Sequence, residues 1–443
     1  MKFTSYAICI GLLVCSFSLN ETRAQKEWTL EECINYALEN NINIKRQKVA
    51  AEQARNDRNQ SKWEMAPSIS ANGSHSFNFG KTINPDTYEY VNQQFESQSM
   101  QASANLTLFN GMETQNTRKM RQYDLMAQLE NIETARYNVT LNIVTYYLNV
   151  LSQAEQQNIM QEQLDVTMDQ IEKTSEQVKV GNKAKGDLLE IKAQAARQRV
   201  ELTRAKNALR MAYVDLAQLM NLDSIRDFRV EIPEDLEVQT EKLIQPADTI
   251  YSTSVENFPT IQNARYQLKS SEEYLDIMKG RLLPTLSFRS SYYTYYNELS
   301  KPSYAEQIRD INPNLNLQLV LSIPIFDKMR RYNQISNAKL LVKDSQYQLR
   351  EQKQELFKTI QKAVNEAQAA YEDYQSSRES VESNEEAFKY TREKYEVGLV
   401  DAVEFKIATN ELSRARSNAA NAKYNYIFRL KILEFYLGQE MQL

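Results

Sequence analysis

The chain repeats itself at one constant offset, and this feature restricts its possible folds more than any other. MAPSIS at residues 65–70 corresponds to LLPTLS at 282–287, and LTLFNG at 106–111 corresponds to IPIFDK at 323–328. QVKVGNKAKGDLLEIKAQ at 177–194 likewise corresponds to KYEVGLVDAVEFKIATNE at 394–411. All three pairs are 217 residues apart. This period is far longer than a solenoid unit, so the sequence predicts a duplicated half and not a stacked array.

Each half shows the same order of predicted elements. A helix of about 25 residues is followed by two strands around a polar loop, a helix of nearly 70 residues, a glycine-centred turn and a helix of nearly 40 residues. The long helices are predicted at 112–180 and 329–397, and each would span roughly 100 Å. We expect the two shorter helices of each half to stack end to end beside the long one. The predicted fold is mainly α with a small β part.

The long helices carry a spacing typical of coiled coils. Apolar and small residues alternate at four and three positions, which favours a left-handed seam against a partner helix. In the second half these residues are Leu356, Ile360, Ala363, Ala367, Ala370 and Tyr374. In the first half they are Val139, Ile143, Tyr146 and Val150.

Four segments alternate between apolar and polar residues, as strands with two different faces do. They lie at about 67–80, 98–109, 284–297 and 314–326. In the last one the apolar face carries Leu315, Leu317, Leu319 and Leu321. The other faces are rich in Ser, Thr, Asn and Gln, which suits a water-filled lumen. An interfacial aromatic girdle is expected to contain Tyr292, Tyr293, Tyr295 and Tyr296, together with Tyr88 and Tyr90.

The alternation alone does not show whether the apolar face contacts lipid or packs against a protein core. A soluble sandwich, or a sheet packed on the helices, would show the same pattern. Four strands in so helical a chain make a poor sandwich, however, and open sheet edges are unstable in hydrocarbon. We therefore expect the apolar face to meet lipid, with several chains pooling their strands into one barrel.

The N-terminus is predicted to be a signal peptide covering residues 1–24. Thr22 and Ala24 occupy the −3 and −1 positions of a cleavage site, so the mature chain would begin at Gln25. Lipid attachment at Cys15 is the alternative. Residues 25–222 are predicted to form the first structural repeat, 223–253 a linker and 254–443 the second repeat. Cleavage leaves Cys33 as the one cysteine of the mature chain.

Composition excludes several classes of function. The net charge of −5 gives no basic footprint for a nucleic acid. His75 is the one histidine, so neither a His-dependent triad nor a multi-histidine metal site can form. The sequence has no Walker loop and no glycine-rich dinucleotide motif. The prediction is a protein without enzymatic activity, metal or cofactor.

Together these features resemble the TolC family of outer-membrane efflux and secretion channels. The resemblance rests on WTLEECINYALENNINIK at 28–45, the LF and IF strand ends, both V-G turns and the duplication. It implies a homotrimer in the outer membrane, with a 12-stranded transmembrane barrel and an α-helical periplasmic tunnel. The chain would be the passive exit duct of a tripartite efflux pump or type I secretion system. Implied partners are outer-membrane lipid, a periplasmic adaptor and an inner-membrane transporter. The rival hypothesis is an exported coiled-coil scaffold without a pore.

The resemblance also implies where the adaptor binds. The two V-G turns match the tip motif of the family, which places the adaptor contact at Val180, Gly181, Val397, Gly398 and Leu399. These glycines would also end helices in a protein without any partner. The two interpretations are compatible.

The third implication is a periplasmic gate formed by Asp187, Tyr395 and Glu404. By resemblance Tyr395 would bond Asp187, and three copies of Glu404 would ring the constriction. Ile407 and Val400 stand where the family often has a second acid and an arginine, so one acidic ring and fewer latch bonds are expected. The alternative is that these acids merely stabilise the first turns of their helices through the helix dipole.

Overall fold

The computed structural model describes residues 27–226, 228–233 and 245–439. The predicted signal peptide, its cleavage site before Gln25 and the alternative lipid site at Cys15 lie outside the described residues. The prediction that 223–253 is a linker can be followed only at its two ends.

Long helices dominate both halves. Their bounds are α1 (Leu30–Asn40), α2 (Ile42–Trp63), α3 (Glu113–Lys179), α4 (Lys185–Met220), α5 (Ala247–Ser254), α6 (Pro259–Gly280), α7 (Tyr304–Glu306, continued by a π turn at Gln307–Ile311), α8 (Arg330–Glu396) and α9 (Ala402–Tyr436). The helices α3 and α8 are each 67 residues long and end within one residue of the predicted bounds. Among the described residues, no helix combines the length and the apolar character needed to cross a membrane.

Among the described residues, the strands form one larger sheet and two small ones. Their bounds are β1 (Glu27–Trp28), β2 (Ser68–Asn78), β3 (Lys81–Ile83), β4 (Tyr90–Asn92), β5 (Phe95–Phe109), β6 (Arg229–Val230), β7 (Thr285–Asn297) and β8 (Asn314–Ser322). The larger sheet is antiparallel throughout, in the order β2-β5-β7-β8. Strand β8 ends at Ser322 and not near 326 as predicted, just before Pro324, which has no N–H for a ladder.

In the first repeat, the connection between strand β5 and helix α3 packs closely against the end of helix α6. Gly111 (φ 66°) and Met112 (φ 68°) adopt left-handed conformations between β5 and α3. A Cβ at Gly111 would lie 2.1 Å from the carbonyl oxygen of Gly280, at the end of α6. The two glycines therefore bring the backbones of the two repeats together. In the second repeat Lys328 and Met329 adopt the same left-handed conformations.

The long helices pack as the predicted coiled-coil seams require, with one correction. All six residues predicted for the second-half seam, from Leu356 to Tyr374, are buried. In the first half Val139, Ile143 and Val150 are buried, but the prediction of Tyr146 was wrong. Its neighbour Tyr147 is buried instead, and the Tyr147 hydroxyl donates to the carbonyl of Glu231 at 2.8 Å.

Neighbouring helices come from both repeats. Helix α3 packs against α2, α4 and α6, whereas α8 packs against α6 and α9, so α6 lies between the two long helices. The largest buried cluster joins α1 to α4 and also includes Tyr424 and Ile427 from α9. The last helix of the chain thus helps to enclose the first.

Candidate functional site

Two turns close the ends of the long helical hairpins, at residues 180–184 and 397–401, and we call them together the tip. Each begins with a Schellman motif around a left-handed glycine, Gly181 (φ 82°) or Gly398 (φ 80°). In the second turn Gly398 N–H donates to the carbonyl of Tyr395 at 3.2 Å, and Leu399 N–H donates to that of Lys394 at 2.9 Å. The glycines therefore reverse the chain, as predicted.

The tip exposes apolar side chains. Val180, Val397 and Leu399 are 70%, 72% and 75% exposed. In a Schellman motif, the residue after the glycine usually packs against an apolar residue five positions earlier. Here these two residues are Leu399 and Lys394, and the lysine offers no apolar partner. Among the described atoms, nothing lies within 4 Å of a Cβ placed on Gly398. The chain itself leaves this apolar surface open.

Tyr395 is fully buried near the tip. Its ring stacks on Phe405 at a centroid distance of 5.0 Å, in a cluster with Ile191 and Ala402. The cluster therefore joins α8 and α9 to α4. Burial raises the pKa of the Tyr395 hydroxyl, so this hydroxyl stays protonated at neutral pH.

The predicted hydrogen bond between Tyr395 and Asp187 is not formed in the part of the chain that the structure describes. The Tyr395 hydroxyl instead lies 3.5 Å from the hydroxyl of Thr174 on α3. Packing on Phe405 directs the ring inward, and this contact was not visible from the sequence. Asp187 lies near enough to contribute to the raised pKa of Tyr395.

Lys183 makes the contact across the tip that sequence reasoning missed. Its Nζ lies 3.2 Å from the centroid of the Tyr395 ring and donates to the Tyr395 carbonyl at 3.0 Å. Burial lowers the pKa of the Lys183 amine, while Asp187 and Glu396 act in the opposite direction. The turn between α3 and α4 is thereby joined to the end of α8.

Two ion pairs near the tip connect the same two hairpins, and Arg416 on α9 pairs with Glu162 on α3 farther from it. Lys173 Nζ lies 2.8 Å from Glu396, and Lys406 Nζ lies 3.5 Å from Glu190. The hydrogen bond from Lys173 lowers the pKa of the Glu396 carboxyl. Both pairs are partly exposed, so each contributes up to about 1 kcal/mol.

Glu404 lies at the start of helix α9. It is exposed in the first turn of α9, and its backbone N–H donates to the Asp401 side chain at 2.9 Å. Within the chain the Glu404 carboxylate forms neither a hydrogen bond nor an ion pair with any described residue. The role of Asp187 and Glu404 in a gate stays a prediction.

The seam between helices becomes polar toward the tip. Gln170, Thr174, Gln194 and Gln198 are buried between α3, α4 and their neighbours. Both polar atoms of the Gln198 amide are buried without a hydrogen-bond partner among the described residues. Such groups lower packing stability, so this end of the bundle is held less firmly than the apolar core.

The larger sheet presents two different exposed faces. Leu315, Leu317, Leu319 and Leu321 share one face and are 61–67% exposed. On the other face the hydroxyls of Ser70 and Ser103 lie 2.9 Å apart, and those of Ser74 and Ser99 lie 2.8 Å apart. The alternation predicted from sequence is therefore present, and no helix of the described ranges covers the apolar leucines.

The predicted aromatic girdle needs correction. Tyr292 and Tyr296 lie on the apolar face, opposite Ala102 and Gln98. Tyr293 and Tyr295 lie on the polar face, because successive residues of a strand point to opposite sides. At most half of this tyrosine group can contact lipid.

Comparisons with solved structures show the same fold over nearly the whole chain. CusC has a TM-score of 0.78 and 18% identity, covering 96% of each chain. The outer membrane protein VceC from Vibrio cholerae has a TM-score of 0.76 and 14% identity, covering 93% of this chain and 96% of VceC. The Campylobacter jejuni CmeC outer membrane channel has a TM-score of 0.76 and 18% identity, covering 92% of this chain and 85% of CmeC. A search of curated protein sequences found no significant match.

The larger sheet, the duplicated hairpins and the shared fold are those of solved outer-membrane channel structures. The family model described as "Outer membrane efflux protein" matches residues 33–222 and 250–439, one match per repeat. The chain belongs to this family. It is a transport protein and not an enzyme, and members of the family form trimers that work with adaptor and inner-membrane pump components.

Proposed function

We propose that three copies of this chain form one 12-stranded barrel and one tunnel, through which a pump expels its cargo without any selection by the barrel. The supporting observation is the larger sheet, whose β2 and β8 edges have no partner strand among the described residues. Unpaired backbone groups cost several kcal/mol each in hydrocarbon, so a membrane sheet must close on other copies.

Single-channel recording on the purified protein tests this function. A trimer that fractionates with outer-membrane barrels, migrates anomalously unless heated, and conducts ions is the expected result. A monomer recovered from the periplasm that forms no pore would instead support the scaffold hypothesis.

The tip is the proposed contact with the periplasmic adaptor. Val180, Val397 and Leu399 supply exposed apolar surface, and Gly181 and Gly398 let a partner backbone approach closely. Burying one leucine contributes about 1.5–3 kcal/mol, and a trimer would offer that contact three times.

The proposed gate is the set of contacts that holds the hairpins together just inside the tip. Asp187, Tyr395 and Glu404 remain the proposed gate residues, and Lys183 is added to them. Lys183 over the Tyr395 ring replaces the latch bond that was expected from Asp187. Glu404, without a described partner of its own, would line the constriction.

A further inference from the structure

The polar face of the larger sheet carries almost no charge. Directly opposed residues of paired strands point to the same side, so the strand registers show which residues share this face. Nearly all of them are Ser, Thr, Asn or Gln. On this face of the described sheet, Arg289 in β7 is the one charged side chain.

Arg289 lies in a row of polar side chains that crosses the whole sheet. It is directly opposite Asn105 in β5 and Gln318 in β8. Asn105 in turn is opposite Ser68 in β2. Neighbouring strands are about 4.8 Å apart, so the Arg289 side chain has a carboxamide side chain on each flank. All three side chains are exposed, and none of them forms a hydrogen bond or an ion pair with another described residue.

The environment of Arg289 differs from that of the arginines at the ends of the strands. Arg281, before β7, pairs with Glu113 at 2.6 Å. Arg331, after β8, pairs with Asp327 at 3.7 Å. No Asp or Glu shares the polar face of the described sheet with Arg289. Its guanidinium N–H groups are therefore available to solvent or to a ligand.

Arg289 lies in the half of the sheet that is nearer to the helices. In its row, Ser68 is the first residue of β2, which follows α2. Glu404 is separated from this level by the length of α8, which is about 100 Å. This separation far exceeds the Debye length of about 8 Å at physiological salt. The charge of Arg289 is therefore not compensated by the acid at the tip.

We propose that Arg289 from three copies forms an anion-binding ring inside the barrel. This inference rests on the proposed three-copy channel, in which the polar face of the sheet lines the lumen. A threefold axis along the barrel places the three guanidinium groups at one depth. The counterpart of Arg289 in the first repeat is Asn72, so each copy contributes one arginine to the ring.

The chemistry of the donors indicates the class of ligand. A guanidinium group binds the oxygens of phosphate or carboxylate through two parallel N–H bonds. The carboxamides of Asn105 and Gln318 can donate further hydrogen bonds to the same oxygens. Rings of arginine or lysine also favour anions in other pores. Three cations without a neighbouring acid suit oxyanions with several negative charges, such as diphosphates, triphosphates and sulfate.

The ring acts on anions that are already inside the lumen. The pump still chooses the cargo, and the ring adds a site where an anion is held briefly on its way out. The channel then has an acidic zone at the proposed gate and a basic zone in the barrel.

Block of the single-channel current by inorganic tripolyphosphate tests the ring. In the parent trimer this anion should interrupt the current in proportion to its concentration. The block should deepen with the voltage that drives the anion into the pore, because the site lies inside it. Arg289→Gln should raise the half-blocking concentration about tenfold or more, since one hydrogen bond to a charged group accounts for at least that factor.

Two further variants show whether the charge in the lumen is responsible. Arg289→Gln with Gln318→Arg moves the guanidinium to the adjacent strand at the same depth, so most of the parental block should return. Arg309→Gln is the matched control, because Arg309 is exposed, lies in the turn between β7 and β8, and pairs with Asp310 at 3.2 Å. Its block should equal that of the parent. Detergent-resistant trimers on gels verify the assembly of each variant.

The outcomes separate this inference from the proposed function. Conducting trimers that tripolyphosphate does not block, or blocks equally in Arg289→Gln, would refute the ring and leave the channel intact. A swapped variant that conducts without recovering the block would also refute the ring, because it keeps three arginines at the same depth. Loss of the block in Arg309→Gln would place the site outside the barrel. A protein that forms neither trimers nor pores would overturn both proposals.

Discussion

Lys183 joins the two hairpins of the tip at the scale of a single side chain. Its ammonium lies over the Tyr395 ring and also bonds the Tyr395 carbonyl, so one residue contacts both the side chain and the backbone of α8. A loop lysine is ordinarily solvated, and nothing in the sequence distinguishes this one. Its partner comes from 212 residues further along the chain.

Replacing Lys183 should loosen the tip. A cation over an aromatic ring contributes about 0.5–2 kcal/mol, so Lys183→Gln is expected to raise single-channel conductance. Lys183→Arg keeps the cation and should behave like the parent. Tyr395→Phe keeps the ring but loses the contact with Thr174, so its effect should be smaller than that of Tyr395→Leu. Equal conductance in all four variants would show that the gate lies elsewhere.

Leu399 should be needed for efflux but not for assembly. Leu399→Asp places a charge on the apolar surface proposed for the adaptor, so drug or dye efflux should be lost while trimers remain on gels. Val200→Asp, at an exposed apolar position on α4, is the control and should pump normally. Unchanged efflux in Leu399→Asp would contradict docking at this turn.

Glu404 should determine ion preference at the entrance. Glu404→Gln removes three like charges from the proposed ring and retains the backbone N–H that Asp401 caps. The reversal potential in a salt gradient should then show weaker cation selectivity. Glu172→Gln, an exposed acid on α3, serves as the comparison. If both variants keep the parental selectivity, Glu404 acts only at the start of its helix.

At the scale of elements, the strands of the larger sheet have one apolar and one polar face, and both faces are exposed. Leu317 and Gln318 are neighbours in β8 and point to opposite sides of the sheet. Leu317→Arg should impair assembly, because arginine on a lipid face near the bilayer centre costs roughly 2–4 kcal/mol. Gln318→Arg should assemble and change ion selectivity. Quantifying detergent-resistant trimers distinguishes them, and equal yields would contradict the assigned faces.

The spacing of apolar residues in the sequence predicted the helices and strands well, because buried positions recur with the period of the helix or strand. The seam of α8 was correct at all six positions, since alanine knobs at 4-3 spacing fit no other side of the helix. Tyr146 was wrong because two adjacent tyrosines both satisfy that spacing. The carbonyl of Glu231, 84 residues away, pairs with Tyr147 and so separates them. The predicted bond between Tyr395 and Asp187 was wrong for a similar reason, since the observed partners of Tyr395, Thr174 and Lys183, are distant in the chain.

At the scale of the whole molecule, ion pairs across the two hairpins make the entrance sensitive to acid. Lys173 holds the pKa of Glu396 below its usual 4.5. The stability from this pair is therefore present above pH 4.5 and is lost as the pH falls through the lowered pKa. Conductance should rise over that acid range. Glu396→Gln should be more conductive at neutral pH and should lack this part of the acid response. An identical pH profile in parent and variant would exclude the pair as a latch.

The core that joins α1 to α4 is completed by Tyr424 and Ile427, close to the C-terminus. In a chain exported N-terminus first, this core therefore stays incomplete until α9 has crossed the inner membrane. Contacts of such long sequence separation form late and leave apolar surface exposed in the meantime. A chain truncated before α9 would lack Tyr424 and Ile427 and would leave apolar surface of this core exposed. The core around the first helices is therefore complete only when α9 is in place.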